Sequence, residues 1–247
     1  MRIAVISDIH GNCLALEAAL ADIERHPPDQ MVCLGDAIQG GAQPAETVRR
    51  LRELACPVVM GNADAWLLTG IDTGTAETVS NEQLEVREWS LSKLSSADRQ
   101  FIAGFQPTVE IPLDGERTLL CFHGSPHSFD DILLPETAEE EFRCLLGSYS
   151  ASILTGGHMH TQQIRRLAGD AFFFNPGSVG FAYNLRLPAD QFRAESWAEY
   201  AVLSVEDGCL GLEFRRVPYD VGALTSVILA SGRPYAEKAT DQYRQEK

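Results

Sequence analysis

The stretch that decides the fold is residues 2–12, which read RIAVISDIHGN. Its first part, up to Ser7, is a β-branched run that predicts a short strand, and the run from Leu14 to Arg25 has apolar residues at helical spacing. Polar residues between a strand and the following helix lie at the carboxyl end of the strand, where open α/β sheets bind ligands. We therefore expect an α/β fold with a ligand crevice beside residues 8–12.

The same pattern continues along the first third of the chain. Met31 to Leu34 and Pro57 to Met60 are apolar runs of strand length, and the run from Pro44 to Leu54 between them has the spacing of a helix. A β-α-β-α-β order with short connections indicates a largely parallel sheet.

From Gly70 to about Glu116 the pattern changes to polar helices, one of which begins with a capping box at Ser95 to Asp98. This stretch predicts a helical insertion at about 70–116. No linker divides the rest of the chain, so we expect a single domain over residues 1–247.

Strands resume after the insertion, and the predicted ranges are 118–122, 152–155, 171–174, 199–205 and 210–217. Asp207-Gly208 joins the last two as a hairpin. Asp220 caps a final helix that ends at Ala230, and the charged tail after Pro234 is expected to fray. Two packed sheets with outer helices use all of these elements.

Composition and charge argue against several classes of protein. The chain has 247 residues, of which 45% are hydrophobic and 22% charged, a balance that supports a sizeable globular core. Thirty-five acidic against 20 basic residues give a formal net charge of −15, which repels nucleic acid and anionic membrane surfaces. No run reaches the roughly 18 to 20 apolar residues of a membrane helix, and the N-terminal run is too short for a signal peptide.

Six cysteines stand mostly in or beside apolar runs and form no C-x-x-C pair, which is typical of buried thiols in a reducing compartment. We therefore expect a cytoplasmic protein that acts on a small molecule, without a nucleic-acid or membrane partner. A homo-oligomer is left open.

Asp, Asn and His side chains stand at the ends of five predicted strands: Asp8, His10, Asp36, Asn62, His123, His158 and His160. Four of the six histidines of the chain belong to this set. Carboxylate and imidazole donors without thiolates suit Mn²⁺, Fe, Zn²⁺ or Ni²⁺ and argue against a structural zinc cage. The set predicts a hydrolytic centre with two metal ions.

The order of these motifs resembles the calcineurin-like metallophosphoesterase family, and the short Gly-Asn-Ala-Asp motif at 61–64 is similar to its YfcE-like branch. Asn175 to Gly180 resembles a further signature of the family, so the resemblance covers most of the chain. It implies a four-layer α/β sandwich of two packed mixed β-sheets flanked by helices, in agreement with the strands predicted above.

The ligand sets implied by the resemblance are Asp8, His10 and His160 for one divalent ion, Asn62, His123 and His158 for the other, and Asp36 as the bridge between both. Mn²⁺ is the expected ion, with Fe, Zn²⁺ and Ni²⁺ as alternatives. A metal-bridging hydroxide of lowered pKa would attack phosphorus in line, while both ions bind phosphate oxygens. Asp36, Asn62 and His10 are the expected catalytic residues.

Asn62 and Asn12 are the expected substrate-binding residues. Asn12 could equally be the N-cap of the first helix, because both roles use the same helix N-terminus.

The chain departs from the family pattern at Ala63, where many members have a histidine that contacts phosphate or protonates the leaving oxygen. Alanine can do neither, so general-acid help to the leaving group is in doubt. A dianionic monoester with a poor leaving group needs such an acid most. We therefore expect a phosphodiesterase of a small molecule; the alternative is a non-catalytic metal-binding scaffold or regulatory protein on the same fold.

Overall fold

A computed structural model describes residues 1–71, 79–115, 117–149, 151–184, 187 and 193–243. Its elements in chain order are β1 (Arg2–Ile6), α1 (Cys13–Ile23), β2 (Gln30–Cys33), α2 (Pro44–Leu54), α3 (Asn62–Thr69), α4 (Asn81–Lys93), α5 (Ser96–Ala103), β3 (Val109–Pro112), β4 (Thr118–Cys121), α6 (Glu139–Leu146), β5 (Ile153–Thr155), β6 (Gln163–Arg166), β7 (Phe172–Asn175), β8 (Trp197–Glu206), β9 (Cys209–Pro218), α7 (Val221–Ala230) and α8 (Ala236–Asp241).

These strands form two mixed sheets. The first has the order β2-β1-β8-β9, in which β1 runs parallel to β2 and antiparallel to β8. The second has the order β3-β4-β5-β7-β6, with β4, β5 and β7 parallel and an antiparallel strand at each edge. The predicted fold class, two packed mixed sheets flanked by helices, is confirmed.

The alternation of side chains along β1 explains how the layers pack. Ile3 and Val5 join a buried cluster with Leu119 and Ile153 of the second sheet, whereas the side chains between them, such as Ala4, pack on the helical side. Because successive residues of a strand face opposite sides, β1 is apolar on both faces and lies in the middle of the sandwich. Its carboxyl end is thereby fixed between the two sheets.

Several elements differ from the sequence predictions. Pro57 to Met60 makes only isolated bridges through Val58 and Val59, so the third strand of the predicted β-α-β-α-β unit is no more than two bridged residues. Strands β3 and β6 were not predicted, and β3 falls inside the range assigned to the helical insertion. The helices α4 and α5 do lie in that range, whereas 72–78 is outside the described residues.

As far as Tyr243, where the described residues end, the tail after Pro234 does not fray as predicted. It forms α8, and Ala236, Ala239 and Tyr243 pack against α7 at Leu224 and neighbouring apolar residues. These alanines are too few and too widely spaced among charges to give a recognisable apolar period, so the packing was not visible in the sequence.

The six cysteines are free thiols. Cys144 and Cys209 are exposed and the other four are buried or half-buried, so the expectation of buried thiols is wrong for two of them. Among the helices that the structure describes, none combines the length and the apolar character needed to cross a bilayer.

Candidate metal centre

Strand ends and one helix start carry the seven predicted ligands: Asp8 and His10 after β1, Asp36 after β2, Asn62 at the start of α3, His123 after β4, and His158 and His160 after β5. Since β1 and β2 are parallel, as are β4 and β5, each pair of strands presents its carboxyl ends on one side. The backbone N–H of His158 donates to Asp8 Oδ2 at 3.1 Å across the two sheets. All seven residues therefore belong to one crevice.

The backbone at these positions is unusual. Eight described residues other than glycine have a positive φ, and five of them are predicted ligands: Asp8, His10, Asp36, His158 and His160. The left-handed region is costly for residues with a Cβ, and such strain concentrates at functional sites.

The segment 175–180 holds the turn after β1 in place. The Ser178 hydroxyl donates to the Asp8 carbonyl at 2.7 Å, and the Gly180 N–H donates to the same oxygen at 3.0 Å. A Cβ at Gly180 would lie 1.8 Å from the Ile9 carbonyl oxygen, so only glycine permits this approach.

Asp8, His10 and His160 form the first of two donor groups, in which one ligand atom from each residue lies within 4.8 Å of the others. The Nε2 atoms of His10 and His160 are 3.0 Å apart, and Asp8 Oδ1 is 3.2 Å from His160 Nε2. Asp8 is fully buried, and its Oδ1 has no hydrogen-bond partner of good geometry among the described residues.

Asp36, His123 and His158 form the second donor group. Asp36 Oδ2 lies 3.4 Å from Nε2 of His123 and 3.8 Å from Nε2 of His10, so a single oxygen is close to both groups. Asn62 adds its Oδ1 at 3.1 Å from His123 Nε2.

Backbone carbonyls select the ring nitrogen that each histidine presents to the crevice. Nδ1 of His10 lies 2.9 Å from the Gln39 carbonyl, and Nδ1 of His160 lies 2.6 Å from the Phe181 carbonyl. His123 Nδ1 is likewise 2.8 Å from a carbonyl oxygen of the β2 loop. An Nδ1 that donates to a carbonyl leaves Nε2 as the ligand atom.

The charges in the second group oppose the effect of burial. Burial alone would raise the pKa of Asp36, but the adjacent His123 and His10 hold it well below its ordinary value. Burial would lower the pKa of His123, yet the Asp36 carboxylate raises it to about 9. Burial and the charge of His123 lower the pKa of His158 to about 4. Asp36 is therefore ionised and His158 neutral at pH 7, the forms in which both can bind a cation.

The first donor group fits a divalent transition-metal ion. Ligands at about 2.0–2.2 Å from such an ion are roughly 3 Å apart, which matches the 3.0 and 3.2 Å separations at His160. When Nδ1 of His10 and Nδ1 of His160 both donate to carbonyls, two Nε2 lone pairs face each other. That arrangement requires a cation or a proton between them.

Comparison with known proteins identifies the family of this site. Residues 1–208 match the model of the calcineurin-like phosphoesterase superfamily domain. The chain belongs to the calcineurin-like phosphoesterase superfamily. Its members are hydrolases that act on phosphoester bonds and use divalent metals, so the resemblance drawn from the motifs is confirmed.

Individual relatives match this chain over nearly its whole length. The uncharacterized protein MJ0912 of Methanocaldococcus jannaschii is 27% identical over 235 residues, which are 89% of this chain and 88% of the relative. A metallophosphoesterase from Sphaerobacter thermophilus has a TM-score of 0.71 at 24% identity and covers 97% of this chain and 98% of its own. Hypothetical protein PH1004 from Pyrococcus horikoshii has a TM-score of 0.77 at 20% identity, covering 100% and 99%. The two structures share the fold.

Asn12 of the phosphoesterase caps α1. Its Oδ1 accepts from the Ala15 N–H at 3.1 Å, and its amide nitrogen donates to the Gly180 carbonyl at 2.9 Å. Both ends of the side chain thus have protein partners, which favours the N-cap alternative; a role towards substrate stays a prediction.

Two cavities, each about 460 Å³ in volume, adjoin the two donor groups. The α4 cavity is lined by Asn62, Ala63 and Trp66 together with Gln83 and Val86 of α4. The sequence predicts that the insertion at about 70–116 lies over the crevice, but it singles out none of the α4 residues, because only the tertiary packing decides which of them face Asn62.

The aromatic cavity adjoins the α4 cavity and shares His10, Gly40 and Arg233 with it. Phe181, Tyr183 and Tyr243 line it together with Leu224 and Ile228 of α7. These residues were missed because they have no motif, and three of them come from the last 30 residues of the chain, beyond the part that matches the superfamily model.

Proposed function

We propose that the protein is a metal-dependent phosphodiesterase that hydrolyses a small phosphate ester at a centre of two divalent ions. Mn²⁺ is the ion that we expect there. The observation that carries the proposal is the position of Asp36 Oδ2, 3.4 Å from His123 Nε2 and 3.8 Å from His10 Nε2. A carboxylate between two donor groups offsets the repulsion between two neighbouring cations.

The proposed ligand sets are those expected from the motifs: Asp8, His10 and His160 for one ion, Asn62, His123 and His158 for the other, and Asp36 between them. When bound, the ions supply an activated water as nucleophile and positive charge for the phosphate oxygens. The protein's part is to hold these donors in fixed positions through the backbone carbonyls at their Nδ1 atoms. Asn62 and His10 line the cavities, which supports the proposal that they contact the ester directly.

The two cavities support a preference for diesters. A phosphodiester has two arms, and the α4 and aromatic cavities are two neighbouring spaces that share lining residues, His10 and Gly40 among them. Ala63 also favours a diester substrate, because a monoester dianion gains more from a general acid than a diester does. The aromatic cavity suits an apolar or aromatic arm, since its lining offers three rings.

The helices between residues 70 and 116 form one wall of this specificity region. Gln83 and Val86 of α4 line the α4 cavity, so the proposed insertion shapes the rim rather than the metal centre. A single domain over residues 1–247 with this insertion remains our proposal for the domain organisation.

The proposed setting is the cytoplasm. Six free thiols suit a reducing compartment, and the net charge of −15 disfavours nucleic acid or an anionic membrane as a partner. A small-molecule phosphate ester is the proposed partner.

The test compares two esters with the same leaving group. Full-length protein reconstituted with Mn²⁺ is assayed with bis(p-nitrophenyl) phosphate and p-nitrophenyl phosphate, and kcat/KM is expected to be higher for the diester. Higher kcat/KM for the monoester would contradict the diester preference. Failure to cleave either ester with ions bound would instead favour the non-catalytic scaffold.

A further inference from the structure

One arginine stands where the two cavities meet. Arg233, in the turn between α7 and α8, lines both the α4 cavity and the aromatic cavity. Among the described lining residues of the aromatic cavity it is the one Arg or Lys. The α4 cavity also has Lys238, but Glu82 pairs with that ammonium at 2.5 Å.

The guanidinium is tied to the turn that orients a proposed metal ligand. Arg233 Nε donates to the Gly40 carbonyl at 2.9 Å, and the preceding carbonyl, of Gln39, lies 2.9 Å from His10 Nδ1. Two successive carbonyls thus hold the His10 ring and the Arg233 fork. The positive charge thereby stands in the cavity lining that Arg233 shares with His10 and His160 of the first donor group.

Most donors of this arginine remain free. Of its five N–H groups, one on Nε binds the Gly40 carbonyl and one on Nη1 binds the Pro234 carbonyl at 2.9 Å. The other three have no hydrogen-bond partner among the described residues, and no described carboxylate forms an ion pair with Arg233. A half-buried guanidinium in a chain with a net charge of −15 would normally have an acidic partner.

Burial also affects the charge itself. It lowers the pKa of Arg233 from its ordinary value, and the neighbouring Tyr243 offsets this effect only in part. An arginine fork with free donors is suited to bind two oxygens of a phosphate.

We propose that Arg233 is a substrate-binding residue whose guanidinium holds the oxygens of the reacting phosphate, from a segment beyond the superfamily match. This assignment rests on the proposed phosphodiesterase function. Ala63 and Arg233 line the same cavity, so the arginine supplies a positive contact on the side where alanine supplies none. Arginine keeps its proton at any working pH, so it stabilises the phosphate charge without protonating the leaving group.

The test measures binding of inorganic phosphate to the Mn²⁺-loaded full chain by calorimetry, with the metal content determined for each variant. Arg233→Gln is expected to weaken phosphate binding by about 10- to 100-fold, the usual effect of a lost charge-assisted contact. Arg143→Gln, which removes the same charge from the exposed face of α6, is the matched control and should bind within twofold of the unmodified protein. Arg233→Lys keeps the charge but not the fork and should lie between the two.

Phosphate affinity of Arg233→Gln within twofold of the unmodified protein, at equal metal content, overturns the assignment. If Arg233→Gln fails to fold, Arg233→Lys decides in its place, since unchanged phosphate affinity in that variant contradicts a role for the fork. Hydrolysis separates this inference from the proposed function. If the protein cleaves bis(p-nitrophenyl) phosphate but Arg233→Gln binds phosphate as before, only the role of Arg233 is contradicted. If phosphate binding depends on Arg233 but no ester is cleaved, only the proposed phosphodiesterase activity is contradicted.

Discussion

Asp36 and Asp64 form a reciprocal brace, in which each carboxylate accepts hydrogen bonds from backbone N–H groups next to the other residue. Asp36 Oδ1 accepts the N–H of Ala63 at 2.8 Å, directly before Asp64, and the Asp64 carboxylate accepts the N–H groups of Ala37 and Ile38 at 2.9 and 3.0 Å, directly after Asp36. Asp64 is fully buried, and burial together with the Asp36 charge raises its pKa to about 7. The brace fixes the turn that carries Asp36, the proposed bridging carboxylate.

Asp64→Asn should therefore weaken metal binding although Asp64 is not a proposed ligand. The substitution replaces one of the two accepting oxygens by an amide NH₂, which then faces one of the two backbone N–H groups. Loss of an outer-shell partner typically costs about 10- to 100-fold in metal affinity or activity. Mn²⁺ titration followed by calorimetry measures the change. Asp98→Asn is the control, because Asp98 closes a capping box on α5 and should affect stability alone. Equal Mn²⁺ affinity in Asp64→Asn and the unmodified protein would show that the brace is not needed.

Asp36→Asn is expected to be more damaging than Asn62→Ala. The first substitution removes a negative charge close to both donor groups, whereas the second removes a neutral proposed ligand that lies beside His123. We expect a loss of several kcal/mol in metal binding or transition-state stabilisation for Asp36→Asn. Metal content and kcat/KM of both variants check this order. Near-normal turnover of Asp36→Asn with two ions bound refutes the bridging role.

Ala63 predicts a steep dependence on the leaving group. The Asp64 carboxylate already accepts two backbone N–H groups. His127 is exposed, contacts Tyr149 and lines neither cavity. Water is therefore the expected proton donor. A plot of log kcat/KM against leaving-group pKa for aryl and alkyl diesters should slope strongly downwards when chemistry limits the rate.

Ala63→His should flatten that plot by supplying an acid worth up to ~10²-fold on poor leaving groups. His127→Ala should leave the slope of the original protein unchanged. A nearly flat plot for the unmodified protein contradicts the account of Ala63, and a steeper one for His127→Ala would make His127 the hidden acid.

The motifs were readable because each follows a short apolar run, which forms a strand before every motif except the one at Asn62. Asp8, His10, Asp36, His123 and their partners stand where such a continuously apolar run stops, and parallel strands carry these ends to one crevice. The sequence pattern therefore predicted the sandwich and the position of all seven donors in one place.

The features that the sequence did not predict depend on packing between residues far apart in the chain. Arg233 and Tyr243 reach the cavities only because α8 folds back on α7, through scattered alanines that show no apolar period. Strand β6 is an edge strand with alternate exposed residues, one of them Ile164, and its four residues include two arginines, so its composition does not suggest a strand.

Far from the metal centre, Asp22 predicts a pH-dependent stability. Its Oδ2 accepts from the Tyr200 hydroxyl at 2.8 Å and from Arg215 Nη2 at 2.8 Å. Burial would raise the pKa of Asp22, but these bonds from Arg215 and Tyr200 lower it below its ordinary value. A carboxylate with a lowered pKa in the folded state stabilises the protein above its unfolded pKa of about 3.9, and this contribution is lost as the pH falls through the folded value.

Asp22→Asn should therefore lower the free energy of unfolding at pH 7 by roughly 1.5–3 kcal/mol, with the difference narrowing below about pH 4. Urea unfolding between pH 7 and pH 3 measures it, with the exposed Asp170→Asn as control. A difference that stays constant over this range would mean that the charge of Asp22 contributes nothing.

The number of metal ions in the active protein tests the dinuclear centre most directly. Protein reconstituted with Mn²⁺ and freed of excess ion is analysed for manganese per chain by mass spectrometry, on the same sample that is assayed with bis(p-nitrophenyl) phosphate. Two donor groups with Asp36 between them predict a ratio that approaches two, and activity that rises only as the second equivalent binds. Full activity at one equivalent, with no further uptake, would contradict the account.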